Sequence, residues 1–339
     1  MTVTDRPYVS VVTPVYNTGD HLAACIESVL AQSYGHFEYV IVNNCSTDDS
    51  LAVAQRYASR DSRIRIVDNQ TFLTQPQNYN HALRQIDPRS RYCKMVQADD
   101  WIFPTAIDEM VRVAELDPRI AMVGAYQLAG VRVKCQGIEC AHWNQPWSVI
   151  EGRDACRAFL FDRRYLFGTA TSLLYRSDLI RQRDKFYRED SPFEDSEVCF
   201  EVMGAHRFGF VHQVLTFTRV GNPDSISSAT ADLGPDLLHA YLITKLYGHL
   251  YLDETELTSL LGWARYHYYR MLTNEVSRRR DPRFWDYHRD GLRAAGERLD
   301  RSRLLRMRAR RVLDLVGNPL STAGSARAWL RAKLGGRRG

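Results

Sequence analysis

Two acidic clusters have the composition and setting for chemistry. In KMVQADDWIFP, residues 94–104, an apolar run leads into the adjacent carboxylates Asp99 and Asp100. Like charges side by side at the end of a buried-looking strand repel in low dielectric, so the pair calls for a cation, a partner or water. In SPFEDSEV, Glu194 and Asp195 lie between apolar Phe193 and Val198. An acid against apolar side chains loses hydration, and its pKa rises toward the range useful to a general base. Plainer readings compete with both. An Asp before an apolar run also caps a strand-helix turn, and Glu194, Asp195 and Glu197 also make an ordinary solvated helix start.

The elements that would position these acids follow a strand-helix rhythm. YVSVVTPVYN reads as a buried strand. Leu22, Cys25, Ile26, Val29 and Leu30 then recur at helical spacing, with Thr18 or Asp20 placed to cap. FEYVIVNNCS predicts a second strand, TDDSLAVAQRYASR a helix, IRIVDN a third strand and QNYNHALRQI a helix. KMVQADD is then the fourth strand and AIDEMVRVAEL the helix after it. Such alternation implies a mostly parallel, Rossmann-like α/β sheet with helices on both faces. Ligands of such sheets bind at the carboxyl ends of the strands, so TPVYN, NNCSTDD and QADD should converge in one crevice. From about residue 120 to 225 the pattern loosens. Beyond Pro235 it is helical and rich in tyrosine.

The chain has 339 residues, 45% of them hydrophobic and 25% charged, which is ordinary for a soluble globular protein. The segment MTVTDRPYVS lacks the build of a signal peptide, and no apolar run approaches the roughly 20 residues that span a bilayer. Seven scattered cysteines without a CxxC pair argue against a disulfide framework and fit a reducing cytoplasm. Residues 301–339 carry ten Arg and one Lys against Asp314, a charge of +10 that leaves −5 on the first 300. A basic tail on a mildly acidic body suggests that the tail meets an anionic surface.

The stretches VVTPVYNTGDHLAACIESVLAQSYGHFEYVIVNNCSTDDS, QADDWIFP and SPFEDSEVCFEVM, in this order, resemble the inverting nucleotide-sugar glycosyltransferases of family 2, which have the GT-A fold. The resemblance spans residues 8 to about 225. It implies a GT-A-like domain over 1–230, with a donor-binding half to about 120 and an acceptor half from 121, and a mainly helical, basic region over 231–339. It implies transfer of a sugar from a UDP- or GDP-linked donor to an acceptor hydroxyl. Asp99 and Asp100 would meet the donor ribose and a divalent cation, Mg2+ or Mn2+, which neutralises the leaving diphosphate. Asp195 matches the family's catalytic base, with Glu194 as support or acceptor contact. Thr13, Pro14 and Tyr16 match the turn that embraces the nucleobase, the tyrosine placed to stack.

Departures from the pattern fall in the same places. Asn43, Asn44, Cys45 and Ser46 stand where relatives commonly have Asp-Asp-Gly-Ser. Gln97 replaces the first Asp of Asp-x-Asp-Asp, and Gln77-Asn78 stand where relatives often have Arg-Asn. Each change removes charge from the crevice, although Asn still accepts from an imide N–H.

Other features carry weaker expectations. Cys135, Cys140, His142 and Cys156 match no strong zinc template. Trp143 and Trp147 flank Pro146, where a sugar ring could stack, and Leu166–Thr171 fall loosely on the acceptor side. Leu305, Ala309, Val312, Leu313 and Val316 share one helical face among arginines. Ala326, Trp329, Leu330 and Leu334 form a second apolar set, so the tail reads as basic amphipathic helices suited to an anionic membrane surface. The expected acceptor is therefore a glycan or lipid-linked glycan in cell-surface polysaccharide or glycolipid assembly, at the cytoplasmic face of the membrane. No nucleic-acid motif is present. A metal-dependent nucleotidyltransferase should show a basic, glycine-rich loop after the first strand, and TPVYNTGD is not one. A non-catalytic sugar-nucleotide-binding subunit is suggested by Asn43, Asn44 and Gln97, against which stand Asp100 and Asp195.

Overall fold

The structure, a computed structural model, describes residues 6–134, 146–222, 226–276 and 281–317. The first half of the chain builds β1 (Val9–Val15), α1 (Gly19–Leu30), β2 (Phe37–Asn43), α2 (Ser50–Ala58), β3 (Ile64–Asp68), α3 (Gln75–Leu83) and β4 (Tyr92–Met95). It continues with β5 (Trp101–Ile102), α4 (Ala106–Ala114), β6 (Ile120–Ala129) and β7 (Arg132–Lys134). Then follow β8 (Trp147–Glu151), α5 (Gly152–Asp162), β9 (Leu174–Arg176), α6 (Ser177–Arg181), α7 (Glu194–Met203) and β10 (Arg207–Thr218). Helices complete the described chain: α8 (Ile226–Thr230), α9 (Pro235–Tyr247), α10 (Glu254–Val276), α11 (Pro282–Ala294) and α12 (Arg301–Gly317).

β1 is buried along its whole length and pairs in parallel with β2 on one side and β4 on the other, while β2 pairs in parallel with β3. Successive side chains point to opposite faces, and both faces are covered. Val12, Val40, Val42 and Met95 join one core with α3, α5 and α7. Val11, Val15, Tyr39 and Ile41 join a second with α1, α2 and α4. The valines suit this pleated, two-sided burial.

The sheet beyond β4 is mixed. The strand order is β3-β2-β1-β4-β9-β6-β10-β5, with β9 antiparallel to both of its neighbours and β6 parallel to β10. The three residues of β9 therefore join the parallel strands β1–β4 to the later ones. QADD is not part of the fourth strand. The ladder with β1 ends at Met95, and the Asp100 N–H turns back onto the Gln97 carbonyl at 3.0 Å.

The tyrosine-rich helices are core. Tyr241, Tyr268 and Tyr269 are buried where α9, α10 and α11 meet, and the Tyr241 and Tyr268 rings stack at 5.5 Å. On α12, Leu304 and Met307 pack on this core while Leu305 and Leu313 stay 65% and 68% exposed. The expected second tail helix and the Cys135, Cys140, His142 and Trp143 positions lie outside the described residues. Cys156 is a buried core thiol. No helix among the described residues is long and apolar enough to cross a membrane.

Candidate active site

The loops leaving β1 and β2 are fastened to each other. Neither predicted cap closes α1 with its side chain. Instead Ser50 Oγ accepts from the Thr18 N–H at 2.9 Å, and Asp48 accepts from the Gly19 N–H at 2.8 Å. Asn17 and Cys45 take left-handed backbone, at φ 49° and 57°, and Cys45 holds the position where the relatives' pattern has glycine. Tyr16 is 47% exposed beside Phe72, 58% exposed, with ring centroids 4.9 Å apart and edge-on. This aromatic pair stands at the carboxyl end of the sheet. Phe72 gave no sequence signal because a lone aromatic in a turn has no periodicity.

Thr13 lies inside β1, its hydroxyl 3.0 Å from the Tyr39 hydroxyl and its side chain fully buried; Pro14 is buried beside it. Asn43 and Asn44 are also buried, and their amides serve the fold. Asn43 donates to the Asp68 carboxylate at 2.7 Å. Asn44 donates to the Leu73 carbonyl at 2.8 Å and accepts from its N–H at 2.9 Å, so one side chain pairs both backbone groups of that residue. Asn69 links Asn44 to Asn78, at 3.1 Å each. Gln77 closes the capping box of α3 by accepting from the Thr74 N–H.

Asp99 and Asp100 sit on the loop after β4, buttressed by the end of β10. The Arg219 N–H donates to Asp100 at 2.9 Å and the Arg219 Nε to the Asp99 carbonyl at 3.1 Å. Asn222 donates to the Asp99 carboxylate at 3.0 Å. Asp100 is 2% exposed and its second carboxylate oxygen is buried without a partner. Burial pushes its pKa up to about 7; Asp99 adds to the rise, while Thr171 and the Arg219 N–H oppose it. Beneath lies Lys94, fully buried, donating to the Thr171 and Leu173 carbonyls. Burial pulls its pKa down to about 7. Thr171 also accepts from the Gln97 N–H at 3.0 Å, joining this loop to the segment before β9. Arg219, Asn222 and Thr171 reach the aspartates from more than seventy residues away, which local pattern reading cannot see.

Glu194 and Asp195 open α7, both partly exposed. Burial, then the adjacent Asp195, raises the Glu194 pKa, and burial raises that of Asp195 against the opposing Ser196 N–H. Glu197 is not solvated: it is fully buried, accepts from Ser191 at 2.9 Å and faces Arg188 at 3.4 Å. Tyr79 ties α3 to the loop that carries Asp99 and Asp100. Its hydroxyl accepts from Gln97 at 2.7 Å and from Gln75 at 2.9 Å. Its pKa is raised first by burial, then by Glu194, Asp195 and Asp99 together. Acids of both clusters thus act electrostatically on this buried hydroxyl.

Among the described residues no group of three or more His, Cys, Asp and Glu is arranged to hold a metal. Two adjacent carboxylates, one with an orphaned buried oxygen, fit a Mg2+-type ion that takes its other ligands from substrate phosphates and water.

Residues 10–154 match the family model for glycosyl transferase family 2. An uncharacterized glycosyltransferase of Haemophilus influenzae is 27% identical over 202 residues, 58% of this chain and 60% of that protein. The glycosyltransferase GlyG of Streptococcus pneumoniae is 28% identical over 120 residues, 35% of this chain and 38% of that one. Those matches thus span 60% or less of the relatives' own length. Among solved structures, Staphylococcus aureus TarS residues 1–349, in complex with UDP-GlcNAc, superposes with a TM-score of 0.61 at 16% identity, over 85% of this chain and 79% of that one. The fold is GT-A-like, and residues 10–154 are similar to the family 2 glycosyltransferases that the motifs resemble.

Proposed function

We propose that this protein is an inverting glycosyltransferase that moves a sugar from a UDP- or GDP-linked donor to an acceptor hydroxyl. The observation that carries the reading is the adjacent pair Asp99 and Asp100 on the loop after β4, held by Arg219 and Asn222, with one Asp100 oxygen buried and unpartnered. The acids Glu194 and Asp195 at the start of α7 supply the candidate base.

In this reading the nucleobase lies against Tyr16 and Phe72. Asp99 and Asp100 would hold Mg2+ or Mn2+, which when bound would neutralise the leaving diphosphate. Asp195 takes the proton of the acceptor hydroxyl as its oxygen bonds to the anomeric carbon, while the bond from that carbon to the diphosphate oxygen breaks and the diphosphate leaves. A single displacement inverts the centre, and no carboxylate acts as nucleophile. The raised pKa of Asp195 makes it a stronger base once ionised. Glu194 stands beside it to steady the base or the acceptor.

A cell-surface polysaccharide or glycolipid acceptor is favoured by a Bacillus subtilis relative, 37% identical over 95 residues, whose provisional name is teichuronic acid biosynthesis glycosyltransferase TuaG. Exposed Leu305 and Leu313 on arginine-rich α12 support contact with an anionic membrane from the cytoplasmic side. The test is a panel of nucleotide-sugars incubated with the protein and Mn2+, read as free nucleoside diphosphate. UDP donors come first, because the TarS structure holds UDP-GlcNAc. Release from one donor that Asp195→Asn abolishes supports the reading; no donor binding and no effect of Mn2+ would sink it.

A further inference from the structure

Away from the acidic crevice, the least satisfied charge among the described residues is Arg163, which ends α5. Its backbone is left-handed at φ 59°, where helices usually place glycine or asparagine and other residues are strained. Both terminal guanidinium nitrogens are buried with no hydrogen-bond partner. The group lies between two rings instead, its Cζ 5.7 Å from the Phe159 centroid and 4.9 Å from that of Trp263. Burial disfavours its charge, and no acid among the described residues offsets this.

His239 on α9 adds a second unmet group, since its Nε2 is buried without a partner. Burial, then Arg163, holds this imidazole neutral, with a pKa of about 4. Its ring lies 4.6 Å from Phe193 and 5.1 Å from Phe159. Phe193 directly precedes Glu194, so His239 borders the start of the helix that carries the acceptor-side acids, and Arg163 stands on the Phe159 ring that it shares with His239. A buried, unpaired guanidinium is strongly unfavourable, and a complementary anion removes that cost.

We propose that Arg163 and His239 form an oxyanion subsite that takes a phosphate group carried by the acceptor, beside the acids that deprotonate its hydroxyl. The inference rests on the glycosyltransferase reading. A guanidinium fork pairs with two phosphate oxygens at once, and a neutral imidazole protonated at Nε2 donates to a third. Trp263 is exposed and covers the guanidinium, so entry of the group requires this side chain to turn aside.

The test is the thermal midpoint of the full chain at constant ionic strength, with inorganic phosphate, glycerol 3-phosphate, glycerol or UDP added separately. The wild type should gain stability with both phosphates and not with glycerol, and Arg163→Gln should lose that gain. UDP should also raise Arg163→Gln, through the nucleotide site, so failure of the nucleotide reading shows as no UDP shift in that variant. Equal phosphate shifts in the two proteins, or none in the wild type, overturn the subsite. A shift with inorganic phosphate alone overturns its assignment to the acceptor. If Arg163→Gln does not fold, Arg163→Lys keeps the charge without the fork; a shift undiminished in that variant also overturns the proposal.

Discussion

The side-chain amide of Gln97 donates to the Tyr79 hydroxyl at 2.7 Å, tying the loop after β4 to α3. Gln75 donates to the same oxygen at 2.9 Å. With two N–H groups directed at it, the buried tyrosine oxygen is the acceptor of both bonds. An aspartate at 97, as the relatives' pattern has, could only accept from that hydroxyl. The exchange to glutamine thus reverses the bond as well as removing a charge.

Tyr79→Phe leaves both glutamine amides without their acceptor. A buried donor left unmade costs about 1–3 kcal/mol, so the variant's urea midpoint should fall with no change in slope. An unchanged midpoint would mean that water replaces the hydroxyl without penalty.

Restoring the relatives' aspartate at 43 should harm this chain. Asn43 donates to Asp68 at 2.7 Å, and Asn43→Asp would set two carboxyl groups there. One must stay protonated, so its folded pKa rises above the unfolded value near 4. Stability relative to wild type should then be kept at pH 4 and lost as the pH rises toward 7. Thermal midpoints that track the wild type across that range would refute the argument.

Much of this arrangement was open to reading in the chain itself. The Val9–Val15 run and the Leu22, Cys25, Ile26 and Val29 spacing foretold β1 and α1 because burial on a period leaves a local signature. The three-residue β9 has no such signature, and its place between β4 and β6 comes from tertiary pairing alone. The acid clusters were visible from their odd company of apolar neighbours. Arg219, Asn222 and Phe72 were not, since each acts on partners distant in sequence or through an isolated ring. Asn43 and Asn44 drew notice as departures, but their bonds to Asp68 and Leu73 depend on β3 and the loop before α3.

The pH dependence of stability should pass through a minimum between about pH 7 and 8. Burial raises Asp100 and Glu197 to about 7 and Glu194 to about 8. These acids outnumber the buried imidazole of His239, held at about 4, so the folded state holds more protons than the unfolded one and stability falls as pH rises from about 4. Burial lowers Lys94 from 10.5 to about 7. Above that minimum the unfolded state therefore holds the extra proton, and stability recovers toward the ordinary lysine pKa. Midpoints measured from pH 4 to 10 test this, and Asp100→Asn should flatten the falling limb. Mn2+ should flatten the same limb in the wild type if it takes the place of the Asp100 proton; an unchanged limb would count against metal at this carboxylate.

Asp195→Asn separates chemistry from folding. Burial raises the Asp195 pKa, and the repulsion between Asp195 and Glu194 destabilises both charges, so the neutral amide should leave the thermal midpoint unchanged or higher near pH 8. Loss of a general base costs about 10²–10⁴-fold in turnover. Donor affinity, read by titrating UDP against intrinsic fluorescence, should stay within about twofold, because the base touches the acceptor hydroxyl and not the nucleotide. An Asn variant that turns over normally would move the base to Glu194, whose own pKa is raised by the same burial. An Asn variant that unfolds would instead make Asp195 a structural cap of α7.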